Sequence, residues 1–450
     1  MTIVSTTQAV PAGADARAAS LYRAVWRWHF YAGLLTLPFL ILLAVTGGLY
    51  LFRTEIDGLI HRDLKRVEIR STVPTPATTL VANALAAFPG KAVKLVPAAT
   101  ASSAAEVTVR DAAGGRKVVH VDPYDGRVLG QIPDKGTVMW VVRQIHSLAY
   151  FGPIANGVIE IAGGWSILLV GTGLYLWWPR GRKGGVVSLR GDAGKRVFWR
   201  DLHAVTGAFA GFFIVFLAIT GMPWSVLWGD QVNRWANGHN FGYPAGIRVN
   251  LPMSDEHLHH AGPTSWSLEQ ARVPESIATA AAPVSLDTAV ARFDALGLAR
   301  GYAINLPAGP SGVFTGSVYP NDLSQQRVIH LDQYSGEPLL DMSFADYGPL
   351  GKWLEWGINV HLGQEFGLAN QLFMLAVCLA IVLLSVSAGV MWWKRRPAGS
   401  LGVPPLPPER RTLYGVFAIL AVGGLIFPLV GVSLIVMLVV DRCFWPKTAR

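Results

Sequence analysis

Charge and cysteine are both scarce in this chain. Only 15% of its 450 residues are charged against 51% hydrophobic, too apolar for an ordinary soluble enzyme and, at this length, enough for several membrane spans plus folded domains. Two cysteines, Cys378 and Cys443, exclude a disulfide framework, a zinc ribbon and an iron–sulfur cluster. No Gly-x-Gly-x-x-Gly loop follows a strand-like run, so no nicotinamide or flavin site is visible. The net charge of +9 gathers in short loops beside apolar runs, a topological bias and not a nucleic-acid signal.

Five segments are apolar enough to cross a hydrocarbon core of roughly 30 Å, which takes about 20 helical residues. They run from Phe30 to Phe52, Ile154 to Trp178, Ala204 to Trp228, Leu368 to Trp393 and Leu413 to Val440. The first follows Arg17, Arg23 and Arg27, yet it is longer than a signal-peptide core and no small-residue cleavage site follows, so it reads as a retained anchor. Lys and Arg crowd the loop after the second run and the stretch after the fourth, which marks both as cytoplasmic. The expected order is a disordered cytoplasmic tail over 1–20, spans over 21–53, 146–178, 203–228, 361–393 and 412–440, cytoplasmic loops over 179–202 and 394–411, and outer domains over 54–145 and 229–360. The tail 441–450 would then lie outside, against the sense of Arg442, Lys447 and Arg450.

The chain also repeats itself. With His29 set against His203, Gly33 meets Gly207, Phe39 meets Phe213 and Thr46-Gly47 meets Thr220-Gly221. With His146 set against His361, Phe151-Gly152 meets Phe366-Gly367, Trp177-Trp178 meets Trp392-Trp393 and Arg180 meets Arg395. In the outer domains Val119-His120-Val121-Asp122, with Tyr124 and Gly126, returns as Ile329-His330-Leu331-Asp332, with Tyr334 and Gly336. Alternating residues before a Gly turn predict a strand entering a tight connection. Thr78 to Phe88 and Leu286 to Leu298 read as amphipathic helices, followed by strand-like runs at Lys91 to Val96, Glu106 to Arg110, Tyr302 to Leu306 and Gly312 to Tyr319. The expected fold is an integral membrane, mainly α protein: five transmembrane helices as a duplicated two-span repeat plus one extra, with two small α+β outer domains and an insertion over 229–284. Parallel repeats are related by an approximate two-fold axis along the membrane normal.

Of the eleven histidines, four lie at span ends and anchor the repeat: His29 and His203 on the cytoplasmic side, His146 and His361 on the outer side. A two-fold axis brings each near its equivalent, one pair per membrane face. Two imidazoles on opposite sides of one iron make a six-coordinate haem suited to electron transfer. A single interfacial histidine is as readily a hydrated residue; four at repeat-equivalent positions point to two b-type haems. Gly33 and Gly207, one turn deeper, would leave room for a flat macrocycle, and Arg27 and Arg200 are near enough in sequence to reach propionates. The Thr-Gly pairs read as close-packing contacts, and the paired tryptophans as an interfacial belt. Glu160 and Glu355 are candidate proton or hydrogen-bond partners. His120 and His330 read as structural. His257, His259 and His260 could capture a metal, but no second cluster completes a geometry, and a solvated loop is the plainer reading.

The repeat, the histidine placement, the Val-Asp-Pro-Tyr-Asp-Gly and Leu-Asp-Gln-Tyr-Ser-Gly turns and the Trp-Trp-Pro-Arg and Trp-Trp-Lys-Arg span ends together resemble the PepSY-associated transmembrane family over nearly the whole chain. Members include inner-membrane siderophore reductases of the ferrioxamine type, with PepSY-like periplasmic domains and two haems on transmembrane histidines. The resemblance implies a bacterial inner-membrane protein that reduces a periplasmic ferric chelate to release Fe(II), with His29 and His203 holding the cytoplasmic haem and His146 and His361 the periplasmic one. The donor would be a separate cytoplasmic or quinol molecule. A non-redox sensor or binding module, or an uptake transporter using the repeat interface, is the rival expectation; neither needs paired histidines at both faces.

Overall fold

The computed structural model describes residues 12–180, 184–238, 253–257, 272–407 and 410–444. In chain order these form α1 (Ala12–Tyr50), α2 (Arg53–Ile60), α3 (Arg62–Lys65), α4 (Ala77–Ala87), β1 (Lys91–Val96), β2 (Ala105–Arg110), β3 (Arg116–Val121), β4 (Val128–Pro133), α5 (Val138–His146), α6 (Pro153–Trp177), α7 (Arg196–Gly221) and α8 (Leu227–Gly238). There follow β5 (Met253–His257), β6 (Arg272–Pro274), α9 (Leu286–Ala295), β7 (Ala303–Asn305), β8 (Val313–Val318), β9 (Arg327–Asp332), β10 (Pro338–Ser343), α10 (Pro349–His361), α11 (Gly367–Arg395), α12 (Arg410–Ile426) and α13 (Pro428–Phe444). The chain divides into two compact units, a helical one drawn from 1–48, 145–230 and 375–450, and a sheet-bearing one from 49–144 and 231–374.

Among the described residues, four helices are long and apolar enough to cross a membrane: Ala18–Tyr50, Pro153–Trp177, Arg196–Trp224 and Gly367–Arg395. In the helical unit, small residues let them approach as membrane helices require. A Cβ on Gly33 would lie 3.9 Å from Leu169, and one on Gly207 3.3 Å from Leu384. Leu169 and Leu384 are themselves repeat equivalents, so the duplication extends to packing. The expected space for a macrocycle beside these two glycines is occupied by leucine. The repeat shows again at the Trp pairs: Trp177 Nε1 donates to the Val186 carbonyl and Trp392 Nε1 to that of Leu401, both at 2.9 Å.

Three expectations for the helices need correction. Residues 12–20, expected as part of a disordered tail, begin α1, and Ser20 is fully buried; residues 1–11 lie outside those described. The third span is helical only to Gly221, because Pro223 closes it through a short 3-10 turn before α8 starts at Leu227. The fifth span is two helices of 17 residues, α12 and α13. Pro428 lacks an N–H and restricts the residue before it, so the helix breaks at Phe427. Gly424 and Gly431 then meet backbone to backbone, where a Cβ on Gly424 would lie 2.6 Å from the Gly431 Cα. Val416, Leu420, Val430 and Leu434 share one core cluster with Trp28 and Trp165, so α12 and α13 lie antiparallel as a hairpin. Trp165 Nε1 fastens it by donating to Ser433 Oγ at 2.8 Å.

In the other unit the two expected α+β domains are halves of one eight-stranded antiparallel sheet, ordered β10-β9-β8-β7-β1-β2-β3-β4. The joint is β1 against β7, with Lys94 opposite Asn305 and Leu95 opposite Ile304. Each half thus covers the other's exposed edge. The return strands β4 and β10 were not among the expected runs. On one face Leu80 and Ala84 of α4 pack on Leu95, Val107, Val109, Val119 and Val121, and Leu286 and Val290 of α9 join the same cluster. Ala289 and Phe293 pack on Ile304, Phe314, Ile329 and Leu331. Each such aliphatic or aromatic side chain contributes roughly 1.5–3 kcal/mol on burial.

The duplicated turns explain their own sequence. Asp122 Oδ1 accepts the Tyr124 N–H at 2.9 Å, and Asp332 Oδ1 that of Tyr334 at 2.7 Å. Gly126 and Gly336 take φ of 71° and 72°, a left-handed conformation costly for other residues. The Tyr124 hydroxyl donates to Ala101 O and that of Tyr334 to Pro310 O, each at 2.8 Å, pinning the preceding loop.

His330 is fully buried on β9, with Nδ1 2.9 Å from Thr315 Oγ1 on the opposite strand. Burial pushes its imidazole down to about 3. Since the unfolded value is near 6.5, the unfolded chain binds this proton first; the contribution to stability is full above that pH and is lost as pH falls toward 3. The expected loss from this group is about 1.4 kcal/mol per pH unit within the window. Thermal unfolding of His330→Gln should therefore show a correspondingly shallower acid limb, and an unchanged limb would mean that this imidazole does not govern it.

Candidate functional site

His29 sits near the middle of α1, and His203 two turns into α7. The structure brings them together, with ring centroids 6.5 Å apart and planes crossing at 77°. His29 Nδ1 lies 2.8 Å from Thr172 Oγ1. That hydroxyl donates to its own helix, to Leu168 O at 2.9 Å, so toward the imidazole it can only accept. His203 Nδ1 lies 3.0 Å from the Leu384 carbonyl, which accepts only. In both rings Nδ1 therefore carries the proton, and Nε2 keeps its lone pair. Ligand histidines are typically prepared in this way, by an outer acceptor that fixes tautomer and ring plane.

The separation matters as well. Two imidazoles bound to one metal at nitrogen distances of about 2 Å place their ring centres roughly 6 Å apart. A haem iron takes four ligands from its porphyrin, so two histidines complete it. The donor set and spacing of His29 and His203 fit such a group. Among the described residues no cluster of three or more His, Cys, Asp or Glu could hold a bare ion, and a bis-histidine haem needs none.

His146 repeats the device at the end of α5. Its Nδ1 lies 2.8 Å from Thr46 Oγ1, whose hydroxyl donates to Leu42 O at 2.6 Å. A Cβ on Gly47 would come within 3.3 Å of His146 Cε1, and one on Gly173 within 3.3 Å of His29 Cε1. Each imidazole thus lies in a Thr-Gly cradle: Thr46-Gly47 on α1, Thr172-Gly173 on α6. In sequence Thr46-Gly47 reads as helix packing and Thr172-Gly173 is unmarked; the recurrence of Thr-Gly inside spans is the signal that connects them. His361 closes α10 in the sheet-bearing unit, six residues after Glu355. That carboxylate is buried and accepts the Tyr319 hydroxyl at 3.1 Å. Burial, with the charge of Glu355, raises the Tyr319 phenol well above its usual range.

The other candidates have structural partners. Arg27 is buried; it donates to Pro404 O at 2.5 Å and to the Tyr31 hydroxyl at 3.2 Å. Arg200 donates to Asp201 Oδ1, and Arg190 grips the same carboxylate through Nε and Nη2 at 2.8 and 3.1 Å. Glu160 Oε2 accepts the backbone N–H of Leu227 at 2.8 Å at the start of α8. His120 is buried opposite Glu106 on β2, with Nε2 3.6 Å from its carboxylate. His257 belongs to β5, whereas His259 and His260 lie outside the described residues.

The family described as the PepSY-associated TM region matches residues 26–395, a stretch holding all four span-end histidines. No curated protein matches the chain.

Asp201 is fully buried while both arginines on it are partly exposed, so the carboxylate, through Arg190, holds the loop of residues 190–195 to the start of α7. Hydrogen bonds to a charged group contribute about 1.5–3 kcal/mol. Asp201→Asn should release this loop and speed tryptic cleavage after Arg190 or Arg196 several-fold; cleavage at the wild-type rate would remove the carboxylate from that role.

Proposed function

The chain belongs to the PepSY-associated transmembrane family, and we propose that it carries electrons across a bacterial inner membrane through two b-type haems to reduce a periplasmic ferric chelate, or siderophore. The observation that carries the proposal is the His29–His203 pair, 6.5 Å between ring centres with both Nδ1 atoms committed to acceptors. By the sequence duplication, His146, held by Thr46 in the same manner, and its repeat equivalent His361 would be the second pair. Each haem would contribute a reversible one-electron couple with no open coordination position.

The residues of this chain then have definite tasks. Thr172 and the Leu384 carbonyl keep the His29 and His203 rings from turning and enrich the lone pairs on Nε2. Gly173 and Gly47 let imidazoles lie against helix backbone, and the apolar bundle around Ala44, Ala210, Ile214, Val377 and Ile381 keeps water from the path between faces. The excess of Lys and Arg in the 179–202 and 394–411 loops puts the N-terminus and the His29–His203 pair on the cytoplasmic side. An electron from a cytoplasmic or quinol donor would enter there, leave on the periplasmic side, and convert one Fe(III) in the chelate to Fe(II), which such ligands hold less tightly.

Purified protein should show a reduced b-type absorption spectrum with about two haems per chain. His203→Ala should remove the cytoplasmic-side haem and His361→Ala the other, each leaving about half the haem; equal content in all three proteins would sink the ligand assignment. Thr172→Val, nearly isosteric, should weaken haem retention at the His29 site by about 10–100-fold and leave the His146 site unchanged. Thr46→Val should do the converse.

A further inference from the structure

A cavity of about 630 Å³ lies wholly within the sheet-bearing unit, where the end of α1, α2 and α3 meet the β1–β2 loop and the start of α5. Its size falls in the range of small-molecule sites, roughly 300–1,000 Å³. Its wall carries three cations, Arg53, Lys65 and Arg66, against one carboxylate, Asp57. Asp57 already accepts the Met139 backbone N–H at 3.3 Å. Lys135 and Arg143 lie over the Trp140 ring, each at 5.3 Å, and Trp140 lines the cavity with Met139, so the local field is positive on that side too. Among the described residues the Arg66 guanidinium has no hydrogen-bond or ion-pair partner.

Hydroxyls complete the lining: Thr54, Thr100, Ser102, Ser103 and Thr137. Arg66 and Ser102 also border a second cavity of about 510 Å³, which Arg62 and Asp63 line as well. Guanidinium and ammonium groups select carboxylate oxygens by charge-assisted hydrogen bonds, and hydroxyls satisfy oxygens that carry less charge. A chelate that is itself cationic would meet like charge here.

We propose that this cavity binds a ferric polycarboxylate chelate, seated by Arg53, Lys65 and Arg66; the identification of the chelate as a substrate rests on the reductase reading above. An anionic lipid headgroup presents similar oxygen chemistry and could reach a cavity that opens just past the first span, so the test must separate the two.

Gallium(III) citrate is a redox-inert stand-in whose binding requires no electron. Titrated calorimetrically into the purified full-length protein with its haems, it should bind wild type at least ten-fold more tightly than Lys65→Gln or Arg66→Gln, with haem spectra unchanged. Arg66→Lys, which keeps the charge, should retain most of the affinity. Equal affinity in wild type and both Gln variants overturns the site. So does binding to wild type in phosphatidylcholine nanodiscs that vanishes when phosphatidylglycerol is included, since the cavity would then belong to lipid. Wild-type protein without haem absorption fails the reductase reading, whereas intact haem with variant-insensitive binding fails this cavity alone.

Discussion

A hydroxyl that has already spent its proton on its own helix can only accept. In a bilayer this fixes more than one hydrogen bond, because no water is at hand to offer an alternative. Thr172 donates to Leu168 O and Thr46 to Leu42 O, so the imidazoles facing them must present Nδ1–H and retain Nε2 as a base. Glycine and leucine contacts accompany this register: Gly33 on Leu169 where Thr172 faces His29, and Gly207 on Leu384 where His203 meets the Leu384 carbonyl. The chemical character of the site is thereby settled by helix packing.

Duplication supplies both the site and the sheet. Repeat-equivalent elements meet within each unit: His29 beside His203 in the helical one, β1 beside β7 in the other. The copies have also diverged within that frame. The repeat equivalent of Thr172 is Ser387, whose hydroxyl donates to Leu384 O at 2.8 Å, and His203 turns to that same carbonyl. One imidazole is thus held by a side chain and its twin by backbone. Two imidazoles with unlike second partners differ in basicity; in the proposed haem site this would adjust the metal centre without changing its ligands.

What the sequence revealed follows from which signals are periodic. Apolar runs located four spanning helices, and the His-to-His alignment found the pair that the structure brings together. Uninterrupted β-favouring runs such as Lys91–Val96 are legible as strands, while Val128–Pro133 and Pro338–Ser343, interrupted by Gly or led by Pro, are not. The fusion of two expected domains into one sheet was hidden because edge pairing is a backbone property of β1 and β7, and carries no side-chain signature. Thr172 and Gly173 were overlooked because a Thr-Gly pair inside an apolar run looks the same whether it packs a helix or cradles a ring.

Breaks in the helical unit show how a side-chain polar group can answer a backbone need. Pro428 interrupts the last helical pair, and a carbonyl at such a break loses its partner; the Trp228 indole N–H reaches Ile426 O at 2.9 Å. Pro223 interrupts the third span, leaving the first N–H groups of α8 unpaired, and Glu160 accepts that of Leu227 at 2.8 Å. A carboxylate at a helix start is also favoured by the helix dipole. The intramembrane Glu160, by sequence a candidate proton or hydrogen-bond partner, is thus a hydrogen-bond acceptor at a helix start. The hairpin made by the break at Phe427 brings the end of α13 back to the end where α12 begins, so that Arg442 falls on the side of the basic 394–411 stretch and not opposite it.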